Sequence, residues 1–484
     1  MMTGMIFDAI PFRQNLSLSD KKNRPLVAFT DYLEKKLGAK IVQEVRDFPF
    51  SRPDLKKPLE MAALLKKHNI IKEMGMMRYY PDDPRLKGWY ALCNTDDSHQ
   101  AGGATWQSDE GGLYAALCEA LERYIWMTQT DYFKKPIRTT TASIAKHGRY
   151  IAPETFVGFS DEQRALAPTR VLRPDSEYLW IQGVSLVDNS RVYLPAQIVM
   201  GVRRQNLPGG AQEPFIRQQI TNGLATWPTR EGALVAGALE IIEREAYMMM
   251  WLNQLTLPRI AIQSLTARSS SLAYAIAQCK RYRFKVHVIS LPTDAPTHAV
   301  AVVLEDLSGN APKYTVGLKT HWSMPYAVEK AITEALRSHR GYRHWAYTGN
   351  VWDNNTPVKD IGHRERLYYW GVPENAKHLE FMIAGKETVF TPQEWDSDTP
   401  EQHLKRIIAW CKEKNFDCVS VPLTHSAKNP TPFHIEMVVI PQLQPTYLEE
   451  WMQQFGGTRW KDVPKALGYK TLEKPFADRP HPFS

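Results

Sequence analysis

Two short runs of this chain carry the same residues in the same frame: Glu119, Glu122 and Arg123 in "EALERY", and Glu240, Glu243 and Arg244 in "EIIEREAY". On a helix, residues three apart are surface neighbours, so each run sets two like charges together at a cost of about 0.2–0.5 kcal/mol. The stripes that hold them are largely apolar. One reads Ala115, Glu119, Glu122, Trp126 and the other Ala236, Glu240, Glu243, Tyr247, so a small residue and an aromatic bound each acid pair. Such a stripe suits a protein wall or a cleft better than bulk water. A third helical run, "KAITEALRSHRGYRHW", offers Glu334, Arg337 and Arg340, with cations where the other two have a second acid. A lone Glu-x-x-Glu-Arg is ordinarily a solvated ion pair; two in matching apolar frames with a variant third point to a site. Carboxylates gathered in one cleft need cations to stay ionised. Hard oxygen ligands suit Mg2+, which also keeps waters and phosphate oxygens in its shell, and arginines match phosphate as bidentate donors. The chemistry expected is that of a magnesium nucleotide. It would not use a P-loop, because "GGAT" at 102–105 lacks the Lys-Ser/Thr such a loop requires.

The elements that must position these residues are legible in outline. "QAGGATWQSDEGGLYAALCEALERYIW" (100–126) reads as a glycine turn leading into the first acidic helix. "YLWIQGVSLVDNSRVYLPAQIV" (178–199) reads as a hairpin around Asp-Asn-Ser, and the second acidic helix follows it. Strands are expected at "FKVHVISL", "HAVAVVLEDL", "YTVGLKT", "CVSVPLTH" and "HIEMVVIP", with helices over 266–281, 325–342 and 400–414. The expected class is α+β, mixed sheets packed with helices. Residues 1–95 form a small N-terminal portion with helical patterns at 29–45 and 59–74, and 96–484 the main domain, in which 346–400 is a loop-rich excursion. No winged-helix pattern stands out in the first 95 residues.

Composition narrows the function classes. With 484 residues and 43% hydrophobic content the chain can bury a large core. No apolar run approaches the roughly 18–20 residues that span a bilayer, and the start lacks the layout of a signal peptide, so a cytoplasmic protein is expected. Five cysteines, Cys93, Cys118, Cys279, Cys411 and Cys418, are scattered without zinc or disulfide spacing. The net charge of +8 is spread along the chain with no Lys/Arg run interleaved by aromatics. A solvated basic surface is expected, and a small anion such as a nucleotide suits that field as well as nucleic acid does.

Taken together, "AGGATW…ALCEALERY", "TNGLATWPTREGALVAGALEIIEREA", "AITEALRSH", "VPLTHS", "MVVIPQLQP" and the terminal "RPHPFS" resemble the YcaO family, specifically the D-protein cyclodehydratases that make azoline rings in ribosomal peptides. The resemblance runs from about residue 95 to the end. It implies a YcaO-type fold, ATP and Mg2+, and phosphorylation of a peptide amide oxygen after attack by a Cys, Ser or Thr side chain. It implies Glu119, Glu122, Glu240 and Glu243 as metal ligands, with Arg123, Asn222, Arg244, Glu334 and Arg337 or Arg340 as nucleotide-binding residues. It implies that the tail carrying Pro480, Pro482 and the terminal carboxylate of Ser484 threads to the active site. The partners implied are a ribosomal precursor peptide, a leader-binding protein and a flavin azoline dehydrogenase, and the oligomer a homodimer. Thioamidation or macroamidine closure, and a non-catalytic ATP-binding subunit, are the alternatives. Ala115, Pro228 and Arg337-Ser338-His339 depart from what some family members carry at those positions.

Overall fold

The computed structural model describes residues 55–77, 80–95, 100–128, 137–201, 213–423 and 428–483. The helix expected over 29–45 and Ser484 lie outside these residues. Helix α1 (Lys56–Lys67) ends where Asn69 takes φ 55°, and strand β1 (Ile71–Met76) follows, so the helical pattern of 59–74 is half helix and half strand. Strand β1 pairs antiparallel with β2 (Lys87–Cys93), and β2 with β3 (Gln100–Thr105). The boundary expected at residue 95 therefore falls inside a three-stranded sheet. "QAGGAT" is its third strand rather than a turn, because Gly102 and Gly103 serve close packing there, as shown below.

A second sheet runs in the order β4 (Ile137–Thr140), β5 (Glu177–Ser185), β13 (Val419–Pro422), β14 (His434–Val439), β7 (Leu224–Trp227), with β6 (Arg191–Pro195) also on β5. The β5–β6 connection is the expected hairpin, and Asn189 takes the left-handed conformation its turn needs. A third sheet runs β11 (Tyr314–His321), β10 (His298–Asp306), β9 (Phe284–Ser290), β8 (Arg259–Ile260), β12 (Glu387–Thr388). Strand β10 reads as a continuous apolar run because both its faces are covered. Val300, Val302 and Leu304 join the core under α4 (Ser270–Arg281) and α5 (Met324–Tyr347). Ala299, Ala301 and Val303 join the core formed with Tyr247, Trp251 and Trp370.

Helix α3 (Arg230–Asn253) is the central element. Thr229 caps it by accepting from the Gly232 N–H at 3.2 Å. Its first half packs on β14, β7 and α7 (Pro400–Glu413); from Ala246 to Asn253 every residue is buried, which explains why "AYMMMWLN" is apolar all round. The stretch 346–400 is more than an excursion. It carries α6 (Glu365–Gly371), and its Trp370, Leu379 and Met382 pack into the core with Trp251. Cys411 and Cys418 are buried free thiols where α7 turns into β13. Among the described residues no helix is long and apolar enough to cross a membrane.

Candidate functional site

Each acidic helix is preceded by a strand that hooks it in the same way. The N–H of Gly102 on β3 donates to Glu119 Oε2 of α2 (Asp109–Thr128) at 3.0 Å, and that of Gly223, just before β7, donates to Glu240 Oε2 at 3.1 Å. The N–H of Leu318 on β11 donates to Glu334 Oε2 of α5 at 2.6 Å. Glycines bring helix and strand this close. A Cβ on Gly103 would meet Gly112 O at 2.2 Å, one on Gly237 would meet Gly223 O at 2.4 Å, and one on Gly317 would meet Ala331 O at 2.0 Å. The chain thus contains three strand–helix units of one design, and Glu119, Glu240 and Glu334 occupy equivalent places.

Electrostatic contacts link neighbouring units, Glu122 to Glu240 and Glu243 to Glu334. Glu122 lies within electrostatic reach of Glu240 and Glu119; burial holds its carboxyl well above the ordinary range, with Arg123 pulling the other way. Glu243, buried, accepts from the Thr320 N–H at 2.7 Å and lies 3.7 Å from Lys319 Nζ. Glu334 is pushed up to about 7 by burial, opposed by Arg244 and reinforced by Glu243. Burial works against the charges of Arg123 and Arg244, yet the surrounding glutamates raise both guanidiniums above their ordinary value. The like charges on each helix are therefore balanced within the protein by strand N–H groups and by three cations. Lys319 was missed in the sequence reading; its signal is a lysine in the middle of the apolar strand "YTVGLKTH".

The two candidate arginines of α5 separate. Arg337 lies against Gly102, where an added Cβ would stand 2.6 Å from its Nη2, and it has no hydrogen bond or ion pair among the described residues. Arg340 is buried and spent elsewhere: it pairs with Asp83 at 3.2 Å and donates to the carbonyls of Pro84 and Leu86. Of the two nucleotide-binding candidates, Arg337 alone keeps its donors free among the described residues, because those of Arg340 already have protein acceptors. His339 also faces backward, bonded to Asp306 at 3.0 Å, so that departure lies outside the cleft. Asn222 sits between Thr221, which accepts from Arg123 at 3.1 Å, and the hook at Gly223, and donates to Thr446 at 3.3 Å. Ala115 and Pro228 are exposed.

The donor set suits Mg2+ held jointly with phosphate. Among the described residues no group of three or more acids, histidines or cysteines is gathered closely enough to hold a metal ion alone. Arg244 Nη1 lies 3.3 Å from Glu243 Oε1 yet out of alignment, leaving a buried donor unspent. Together with Arg337 it offers free N–H groups to phosphate oxygens.

The C-terminal tail enters this region. Pro480, His481 and Pro482 are buried; Trp370 Nε1 donates to Pro480 O at 3.1 Å, and His481 Nε2 lies 3.1 Å from Tyr447 O. The ring of Phe483 sits 4.3 Å under the Arg244 guanidinium and 5.8 Å from Tyr247. Residue 483 therefore touches the second acidic unit.

Comparisons with known proteins place the fold. An uncharacterized protein of Methanothermobacter thermautotrophicus is 27% identical over 191 residues, 38% of this chain and 48% of that protein. In structure, the chain is similar to a heterocyclase in complex with substrate and cofactor, with a TM-score of 0.68 and 19% identity over 87% of this chain and 57% of that one. It is also similar to the YcaO of Methanopyrus kandleri bound with AMPPCP and Mg2+, with a TM-score of 0.59 and 16% identity over 82% of this chain and 92% of that one. The chain thus spans about half the length of the archaeal relative and of the heterocyclase. The family model for YcaO cyclodehydratase, ATP- and Mg2+-binding, matches residues 106–444, which contain all three strand–helix units apart from β3. The chain belongs to the YcaO family, whose members bind ATP and Mg2+.

Proposed function

We propose that the protein is an ATP-dependent cyclodehydratase that converts Cys, Ser or Thr residues of a precursor peptide into thiazoline or oxazoline rings. The observation that carries this reading is the contact between the tail and the cleft. Phe483 stacks on Arg244, so a peptide amide beside the tail lies next to the groups that hold phosphate. In the reaction, the side-chain sulfur or oxygen adds to the preceding carbonyl carbon and gives up its proton. The resulting oxyanion takes the γ-phosphoryl of ATP, releasing ADP. Loss of the amide proton and departure of the former carbonyl oxygen with phosphate then form the C=N bond, so one water's atoms leave the peptide per ring. Bound Mg2+ would neutralise charge on the transferring phosphoryl oxygens, and Glu119, Glu122, Glu240 and Glu243 would hold it. Arg244 and Arg337 orient the phosphates through their unspent donors, and the buried tail excludes water from the reacting amide. A separate leader-binding protein delivers the peptide, a flavin dehydrogenase oxidises the azoline, and the enzyme acts as a homodimer.

The test is mass spectrometry of a Cys/Ser/Thr-rich peptide incubated with the protein, partner protein and Mg-ATP. Loss of one water per ring with matched phosphate release is expected. Replacement of a carbonyl oxygen by sulfur, or phosphate release without any change of peptide mass, would defeat the proposal.

A further inference from the structure

Elsewhere in the fold, buried Arg366 pairs with Glu450 at 2.9 Å and half-buried Arg459 pairs with Glu245 at 2.8 Å. Three neighbouring arginines do not. Arg164, Arg170 and Arg217 have no carboxylate oxygen within 4.0 Å among the described residues. They are gathered by the backbone: Arg164 donates to the carbonyls of Arg170 and Phe215, and the Phe215 N–H donates to Thr169 O at 2.7 Å. Their guanidiniums lie on aromatic rings, and Asp161 and Glu154 reach Arg164 only from beyond 4.0 Å. Arg170 is 4.1 Å from the Phe159 centroid and 5.7 Å from Trp451, and Arg217 is 5.8 Å from Phe156.

Arg217 is the most telling of the three, being only 8% exposed. Burial lowers its pKa to about 10 with no acid opposing the fall. An uncompensated buried ion costs several kcal/mol, and the fold keeps it. Around these charges stand two exposed apolar side chains, Leu166 at 87% and Trp451 at 54%. Arginine and tryptophan beside one another are the composition of a binding hot spot.

The patch adjoins the wall that holds the tail. Trp451 follows Glu450, the partner of Arg366, and Gln218, next to Arg217, accepts from the Leu448 N–H at 2.6 Å. Leu448 in turn follows Tyr447, whose carbonyl meets His481.

We propose that Arg164, Arg170 and Arg217, with Leu166 and Trp451, form a docking surface for an acidic segment of the peptide substrate. The peptide's identity as substrate rests on the function proposed above; the charge preference rests on the patch itself. A nucleotide is the poorer fit, since the second acidic unit has its own arginines and a polyphosphate has no apolar groups to meet Leu166 and Trp451. A short segment that mixes carboxylates with apolar side chains meets both the arginines and the Leu166–Trp451 rim.

The test uses the full chain and two fluorescein-labelled peptides of equal length, one with four glutamates around a Leu-Leu pair and one with glutamines in their place. By fluorescence anisotropy the glutamate peptide should bind at least about tenfold more tightly, equivalent to about 1.4 kcal/mol. Arg170→Gln and Arg217→Met should each erase most of that advantage while ATP hydrolysis, which none of these residues touches, is unchanged. Arg217→Met should also hold or raise the melting temperature, since it removes an unpaired buried charge. Equal binding of the two peptides, or an undiminished advantage in both variants, overturns the surface. A marked fall in melting temperature for Arg217→Met overturns the part given to Arg217, which is then a structural cation. A glutamate preference without ring formation on any peptide sinks the proposed reaction and leaves the surface standing; rings without a preference do the reverse.

Discussion

Helix α5 has two faces that use the same residue types to opposite ends. Beside the acidic units, Glu334 and Arg337 stand half-buried, the acid raised to about 7 and the arginine without a hydrogen-bond or ion-pair partner among the described residues. Turned toward the interior, Arg340 and His339 are buried and bonded to Asp83 and Asp306. The two arginines are one turn apart. What separates them is hydrogen-bonding capacity left over after folding: Arg340 has spent its donors on a carboxylate and two carbonyls, and Arg337 keeps its own unspent among the described residues. Residues whose partners are complete hold the fold, and those left unsatisfied in a cleft mark the chemistry.

The sharpest way to break this comparison is on the acids themselves. Glu122→Gln and Glu243→Gln should each lower Mg-ATP turnover by about a hundredfold or more, since each removes one ligand charge from the phosphoryl-transfer site. Stability should change little for Glu122→Gln, because burial already disfavours the charged form there. Wild-type phosphate release by both variants would return these residues to the role of helix ion pairs.

The next test sets the two arginines against each other. Arg340→Met leaves Asp83 buried without one of its cations, so the expected loss is about 3–5 kcal/mol on denaturant unfolding. The Arg343–Asp83 contact at 2.8 Å softens that loss. Arg337→Met should unfold within about 0.5 kcal/mol of wild type yet lose about ten- to a hundredfold in ATP turnover. If the stability loss followed Arg337 and the activity loss Arg340, the assignment of the two faces would be reversed.

A smaller effect is expected at the tail. Its residues 480–482 are buried against Trp370 and Tyr447, so deleting 480–484 should cost stability as well as ring formation. Phe483→Ala is the cleaner change. It removes a cation–π contact worth about 0.5–2 kcal/mol, which should slow ring formation by between about twofold and thirtyfold while ATP binding, measured calorimetrically, is kept. A wild-type rate of ring formation would show that the ring merely fills space.

The acid frames were readable because helical spacing fixes which side chains share a face, and that rule needs no partner element. The hooks were not readable. That Gly102, Gly223 and Leu318 would each present an N–H to a glutamate about 16 or 17 residues later depends on how a strand lies along its own helix, and the two glycines at 102–103 looked like a turn for that reason. The pairing of β3 with β2 across residue 95 was equally unreadable, since β3 completes a sheet that begins in β1. Lys319 was hidden because a lone lysine in an apolar strand has no periodic signature. The choice between Arg337 and Arg340 turned on Asp83, more than 250 residues away, a contact only the fold can make.

The smallest expected effect lies in the pH dependence of the inward face. Burial pushes Asp306 upward, but the hydrogen bonds from His339 and Ser308 outweigh it, so the carboxyl titrates below its ordinary value of 3.8. A group with a depressed folded pKa binds more protons when unfolded, so the stability it contributes is present above pH 3.8 and is lost as the pH falls through the lower folded value. The contribution is modest because Asp306 is also bordered by solvent-facing Ser308. Wild type should therefore lose more melting temperature between pH 4 and pH 2 than Asp306→Asn, by about two degrees. ATP turnover at neutral pH should be the same in both, since neither His339 nor Asp306 faces the cleft. An equal acid response in the two proteins would mean that the pair contributes nothing to the inward face, leaving Arg340 and Asp83 as its ionic anchor.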